Sequence, residues 1–568
     1  MKTAKEIIDL ISDIKSNGEY TLSFGEYDVY ADCTRKRFYY QSNNDSGERE
    51  IAFLLCDKEN VTLDFGGSAL VFHGRITPFV IENCKNVTLK NVIVDYDRPF
   101  YTEGVIAETG EDYFVLKVNA EKFPYRVKNG SFIAVAPFWE SDLADGINLF
   151  LEFDAEKRAP AYNSVLQLAV TGKNAKKNEN APIAQTTYLV EDMGEGYVKF
   201  VGSPPRGLKS GNVMTITHEK RMNSIIYASE SENLRFENIE VTHGGAMGIV
   251  CQLCENVSVS GFRCELTERS KGLITLNCDA LHFVNCSGVI DVENCVMYNM
   301  MDDAINVHGI YNVVSEVGEG RLTLDIRHFQ QFGINVYKKG DVAFVAKKGT
   351  WDEFIPVSVN RAELINERQI EILTDSDLSN VVVGSEICND SRMPEVRVCG
   401  CRTGNNRPRG FLVTTPKEIT IENNYFANSA YALHFSGDTA FWYESGGVRN
   451  LKITGNRFDN CCYHFGEYPV LFSPVAKDKR TGYYHKNVLI SGNRFDVFGD
   501  GLVFAEHVEN ITVKDNLVVK SSEFEKRTKT AECSFTECRN ATFSPFAENL
   551  GEKYAEGNYL SVMTEGVK

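Results

Sequence analysis

At 568 residues, with 43% hydrophobic and 24% charged side chains, the chain has an ordinary soluble composition and enough length for a large core. Its formal net charge of −18 argues against a nucleic-acid backbone or an anionic membrane as partner and fits a neutral ligand such as a sugar. The opening stretch Met1–Ile11 is amphipathic and reads as a short helix rather than a signal peptide, and no later segment has the apolar length to span a bilayer. The expectation is a cytoplasmic protein, or an exported one if a leader has been removed. Sixteen cysteines are scattered at repeat positions such as Cys254, Cys264, Cys278, Cys286 and Cys295, and read as reduced, small buried residues. The pair Cys251 and Cys254 has no second pair at zinc spacing and is weak evidence of a metal, and the acids lack calcium-loop spacing; no metal and no cofactor is expected.

After the helix, Tyr20 to Tyr30 alternates as a strand, and a repeat then begins. Asn60-Val61-Thr62-Leu63 and Asn86-Val87-Thr88-Leu89 return as Asn233-Leu234-Arg235-Phe236 and Asn256-Val257-Ser258-Val259. Later copies start at Ile419, Asn450, Asn487 and Asn510. Each is a period-2 strand of about five residues bounded by Asn or Gly; Asn tolerates the left-handed backbone of a tight corner, and stacked amides can form ladders. Uninterrupted copies recur every 23 residues (Asn233 to Asn256) to 37 residues (Asn456 to Asn493). Short strands, Asn corners and this period predict an all-β right-handed parallel β-helix.

Two stretches lack the Asn corner. One holds Tyr113–Val118 and Tyr197–Val201, the other Arg321–Ile326 and Val342–Val345, and both read as inserted antiparallel, barrel-like β subdomains. The expected division is a cap with first coils over 1–100, an insert over 101–222 and coils over 223–311. A second insert over 312–401 and final coils over 402–568 complete it.

A second strand family carries the chemistry: Asp279-Ala280-Leu281-His282-Phe283, Asp303-Ala304-Ile305-Asn306-Val307 and Tyr431-Ala432-Leu433-His434-Phe435. Leu281, Phe283, Ile305, Val307, Leu433 and Phe435 are predicted to point into the helix, and His282, Asn306 and His434 outward as a ladder. Asp303 follows Asp279 by 24 residues. If that is one coil, the two lie about 4.8 Å apart, one strand spacing. Asp302 adds a third carboxylate. Three acids so close cannot all ionise comfortably, so at least one keeps its proton near neutral pH, which suits acid–base chemistry on a sugar. A calcium site is the competing reading of clustered acids. Weaker candidates for binding are His308 beside Asn306, and Trp442 and Tyr443, which could stack on a sugar face while Glu444 takes its hydroxyls. Arg402, Arg407 and Arg409 read more readily as a solvated corner than as contacts of the acid cluster, though Arg409 is kept as a binding candidate.

The Asn-corner helix with an Asp one coil below an Asp-Asp pair resembles the polygalacturonases, although their Gly-His-Gly and Arg-x-Lys elements are not found. The closer resemblance is to glycoside hydrolase family 110, the α-1,3-galactosidases that include enzymes acting on blood group B antigen. It rests on the coils, the insert after Tyr96-Asp97-Arg98-Pro99-Phe100, Met301 to His308 with the insert that follows, and Thr439 to Gly446. That resemblance implies an exo-acting, inverting, metal-independent hydrolase of galactose-terminated glycans, commonly a homodimer. The polygalacturonase pattern would make Asp302 the acid, and Asp279 with Asp303 the holders of the attacking water. Asp302 should then lie roughly 6.5–9.5 Å from that pair, as in inverting enzymes. A polysaccharide lyase or polygalacturonase-like hydrolase on the same fold, and a non-catalytic carbohydrate-binding β-helix, are the alternatives.

Overall fold

The computed structural model describes residues 2–146, 148–177, 184–218, 221–544 and 560–563. The expected C-terminal coils therefore run partly outside the described residues. Among those described, one α-helix, Lys5–Asp13, buries Ile7 against the first coil, and it is too short to cross a membrane. Nearly all other regular structure is strand.

The repeated phrases stack in parallel, each on its equivalent in the next coil. Leu234 pairs with Val87 on one side and Val257 on the other, and Val488 lies between Leu451 and Ile511. The corners are built as expected. Asn60, Asn86, Asn233 and Asn256 all take left-handed φ near +55°. Their amides form a ladder: Asn86 donates to Asn60 at 2.7 Å, Asn233 to Asn86 at 3.0 Å and Asn256 to Asn233 at 3.2 Å. A second, buried ladder joins Asn424, Asn456, Asn493 and Asn516. The first ladder is exposed, whereas each rung of the buried one satisfies amide groups that would otherwise be costly to bury at a corner.

Inside the coils the second strand family forms a column of fully buried side chains, Leu281 on Ile305 on Phe411 on Leu433 on Val470. Each contributes roughly 1.5–3 kcal/mol by leaving water. All sixteen cysteines are free thiols and most are buried within or against this core.

Both inserts leave the stacking register intact. The strand Glu232–Val241 still pairs with Lys85–Tyr96 across the first insert, and Val292 with Val398 across the second. The first insert closes seven strands into a barrel between Tyr101 and Thr217, with a three-stranded sheet, Tyr125–Asp142, beside it. The second is a seven-stranded antiparallel sheet, and it grows directly out of a coil strand. Ile305–Gly318 pairs in parallel with its coil neighbours, through His308 on one side and Val307 on the other, then antiparallel with insert strands from Tyr311 on. The chain re-enters the coils at Glu395–Cys399, earlier than the expected boundary at 401.

Candidate active site

Asp279 and Asp303 stand at the same point of consecutive coils, each two residues before its strand. The Ala280 amide donates to the Asp303 carbonyl at 2.9 Å, and Leu281 aligns with Ile305. Fully buried Ala280 and Ala304 turn the chain at this point. The next coil pairs Ile305 with Phe411, which puts Arg409 in the same column, beyond Asp303. Arg409 Nε meets Asp303 Oδ1 at 2.7 Å, and its Nη2 lies 3.8 Å from Asp302 Oδ1.

One oxygen from each of the three carboxylates lies within 4.8 Å of the others. For Asp279 and Asp303 this agrees with their places on adjacent coils. For Asp302 it corrects the expectation of a wider gap: Arg409 bridges Asp302 and Asp303 and keeps the carboxylates together. Two further arginines converge on Asp302, Arg221 Nη2 at 2.5 Å from Oδ2 and Arg407 Nη2 at 3.4 Å from Oδ1.

These neighbours split the acids. Burial works against a charged Asp302, but Arg221, Arg407 and Arg409 outweigh it and hold its pKa below the ordinary value. Burial first, and then the charge of Asp302, push Asp279 up to about 8. Asp303 is pushed well up by burial and its two acidic neighbours, against the pull of Arg409. The retained proton therefore belongs to Asp279 or Asp303. Asp302, expected to be the acid, is the member held ionised.

Asp302 also lines a cavity of about 1260 Å³, together with Arg221, Arg407, Arg409, Trp442 and Phe441. Both inserts wall it, the first through Leu149, Leu166 and Leu168, the second through Phe329, Gln330 and Phe332. Trp442 and His434 line it as well; Trp442 is braced by Phe441 at 5.0 Å and His328 at 4.9 Å between ring centroids.

The other candidates are placed differently. Tyr443 does not line the cavity, and its hydroxyl faces Lys477 at 3.4 Å. The ladder of His282, Asn306 and His434 is broken, because Leu412 stands between Asn306 and His434 in register. His282, Asn306 and His308, expected on an exposed face, are buried. That face is covered by Glu444, which lies 3.7 Å from His308 Nε2, and by Asn43, which donates to Glu444 at 2.6 Å. His282 Nδ1 lies 2.8 Å from Asp279 Oδ2, and His282 Nε2 lies 3.1 Å from His308 Nε2. These residues back the acid cluster instead of facing the cavity. Of the supposed basic corner, Arg402 does lie away, over the Tyr425 ring, whereas Arg407 and Arg409 grip the acids.

Among the described residues this triad is the one group of acidic, histidine or cysteine ligands close enough to share a cation. The donor set does not suit one, since three guanidinium groups already engage the oxygens of Asp302 and Asp303.

Residues 102–214 match the family described as GLAA-B beta-barrel domain I, and residues 364–543 the right handed beta helix region. Alpha-1,3-galactosidase A of Shewanella woodyi is 31% identical over 508 residues, which is 89% of this chain and 80% of that protein. This chain belongs to the α-1,3-galactosidase family. Alpha-1,3-galactosidase B of Bacteroides thetaiotaomicron is 28% identical over 527 residues, 91% of this chain and 83% of its own. Among solved structures, a Yersinia enterocolitica family 28 exopolygalacturonase aligns with a TM-score of 0.34 and 10% identity over 94% of this chain and 74% of its own. In this α-1,3-galactosidase family member, Arg221 and Asn43 are the site residues that sequence reading missed. Neither sits in a repeat phrase: Arg221 reaches Asp302 and Asn43 reaches Glu444, each from a segment far away in the chain.

Proposed function

We propose that this chain is an exo-acting, inverting glycoside hydrolase that releases terminal α-1,3-linked galactose from oligosaccharides or glycoconjugates. The observation that carries the reading is the buried triad with one member held ionised at the cavity wall and two pushed toward the protonated form. Acid and base thus come from one residue type, separated by environment alone. Relatives named as α-1,3-galactosidases support the linkage and the sugar. Walls from both inserts favour a chain end over the middle of a polymer, and Trp442 offers a face for the apolar side of galactose. A blood-group-B-type acceptor and a homodimer complete the reading on the family resemblance.

In this reading Asp302 takes a proton from the attacking water while Asp279 gives one to the departing oxygen. The triad oxygens lie closer than the roughly 6.5–9.5 Å of inverting pairs, so inversion rests on the family resemblance and on the three guanidinium groups that engage Asp302 and weaken it as a direct nucleophile. A screen of α-1,3-, α-1,4- and α-1,6-galactosides is expected to give free galactose from the first alone. Proton NMR during early hydrolysis should record β-galactose before mutarotation; α-galactose appearing first would overturn the inverting assignment. Because the arginines occupy the acids, exhaustive chelation is expected to leave the rate unchanged. Activity lost to chelator and restored by calcium would turn the triad into a metal site.

A further inference from the structure

Asp279, buried beside Asp302 and not itself among the residues that line the cavity, heads a buried chain of polar groups that do not line it either. Asp279 Oδ2 meets His282 Nδ1 at 2.8 Å, His282 Nε2 meets His308 Nε2 at 3.1 Å, and His308 Nδ1 meets the Gly309 carbonyl at 2.7 Å. The far end settles the protons. A carbonyl only accepts, so His308 Nδ1 carries a hydrogen. In a neutral imidazole that makes Nε2 of His308 an acceptor, and His282 Nε2 must donate to it. His282 Nδ1 then has a lone pair and no hydrogen, and its short contact with Asp279 is a hydrogen bond only if Asp279 is the donor. Glu444 does not alter this: at 3.7 Å from His308 Nε2 it is beyond hydrogen-bond range, and it accepts instead from Asn43.

We propose that His282 and His308 are positioning residues whose fixed tautomers make Asp279 the proton-bearing member of the triad, leaving Asp302 as the ionised one. This rests on the acid–base reading given above and names the residues that set it. During hydrolysis the bond from the anomeric carbon to the departing oxygen breaks, that oxygen keeps the electron pair, and it takes the Asp279 proton. Water forms the new bond to the same carbon and gives its proton to Asp302. The starting state returns when a proton passes from Asp302 to Asp279 through solvent.

The charged and titratable groups facing this chain come from several elements. Cys278 lies on the same turn, and Asp302 and Asp303 on the next coil. Arg409 comes from the coil beyond, Arg221 from the segment after the first insert, and Glu444 from the loop behind, itself faced by His328 of the second insert. Burial holds the imidazolium forms of both rings down, His282 to a pKa of about 4 and His308 below its ordinary value, which disfavours the arrangements that place a charge on His282 or on His308 and leave Asp279 a carboxylate.

Two measurements test the proposal. The first is NMR of the intact protein with labelled histidine, which reads tautomers whether or not any galactoside is cleaved. At pH 6–7 His308 is expected as the Nδ1–H form and His282 as the Nε2–H form. An Nδ1–H or doubly protonated His282 would overturn the proposal while leaving the hydrolase reading intact; conversely, failure of every galactoside to react would remove the hydrolase reading and not the tautomers. The second is the pH dependence of kcat in His308→Leu, a residue that does not touch Asp279. With no acceptor at its Nε2, His282 is free to carry hydrogen on Nδ1 and donate to an Asp279 carboxylate. The alkaline limb should then move down by at least one pH unit. A uniformly scaled profile with the limb in place would mean that His308 acts only in packing, and would sink the idea.

Discussion

Asp302→Asn is expected to lower kcat on an α-1,3-galactoside by at least about 10²-fold, the low end for loss of a positioned acid or base. The amide keeps the shape of the carboxylate but cannot take a proton from water. It also leaves Arg221, Arg407 and Arg409 facing one another without the anion that all three share. KM should change less, because the lost interaction is made in the transition state. Asp302→Ala separates base from acid more sharply. Azide needs no deprotonation to attack, so it should restore part of the rate to this variant and yield β-galactosyl azide. Rescue of Asp279→Ala in its place would exchange the two roles, and a near-normal rate in Asp302→Asn would remove Asp302 from the chemistry altogether.

Much of this site could be read from the chain because the β-helix converts sequence spacing into distance. The interval from Asp279 to Asp303 is one coil, so their proximity follows from repeat register, as does the inward column of Leu281, Ile305 and Leu433. The Asn corners are legible for the same reason: each fills a backbone position that few other residues tolerate. What resists such reading is whatever the two inserts and the N-terminal segment bring to that surface. Period-2 alternation says that His282 and Asn306 point away from the core, yet nothing local reveals that Asn43 and Glu444 pack over that face and bury it. Leu412 was invisible as the break in the ladder because its coil begins after a long insert, where the repeat phrase is altered. The charge state of Asp302 is out of reach of the sequence for a related reason. Charge state depends on neighbours in space, and Arg221 lies 81 residues from Asp302 along the chain.

Arg409→Met should lose more stability than the parent protein as pH rises. Arg409 is the direct partner of Asp303, whose side chain is 1% exposed, and it opposes the burial that pushes Asp303 up. A carboxyl with a raised folded-state pKa contributes stability in full below its unfolded value near 3.8, and that contribution is lost as pH rises through the folded value. Removing the guanidinium moves the folded value of Asp303 higher still, so the variant loses more than the parent over the same rise in pH. At low pH Asp303 is neutral in both proteins and the deficit is small. Toward pH 8 the variant must either bury an unpaired carboxylate or keep a proton against solution, and the deficit should approach the roughly 3–5 kcal/mol seen when one member of a buried ion pair is removed. Thermal unfolding of both proteins between pH 5 and pH 8 reads this as a gap in Tm that widens with pH. Asp302 loses one of its three guanidinium groups in the same variant, so its pKa rises and the acidic limb of kcat should move to higher pH. Parallel Tm curves with an unmoved acidic limb would mean that Arg409 serves the cavity wall alone and has no part in holding the acids.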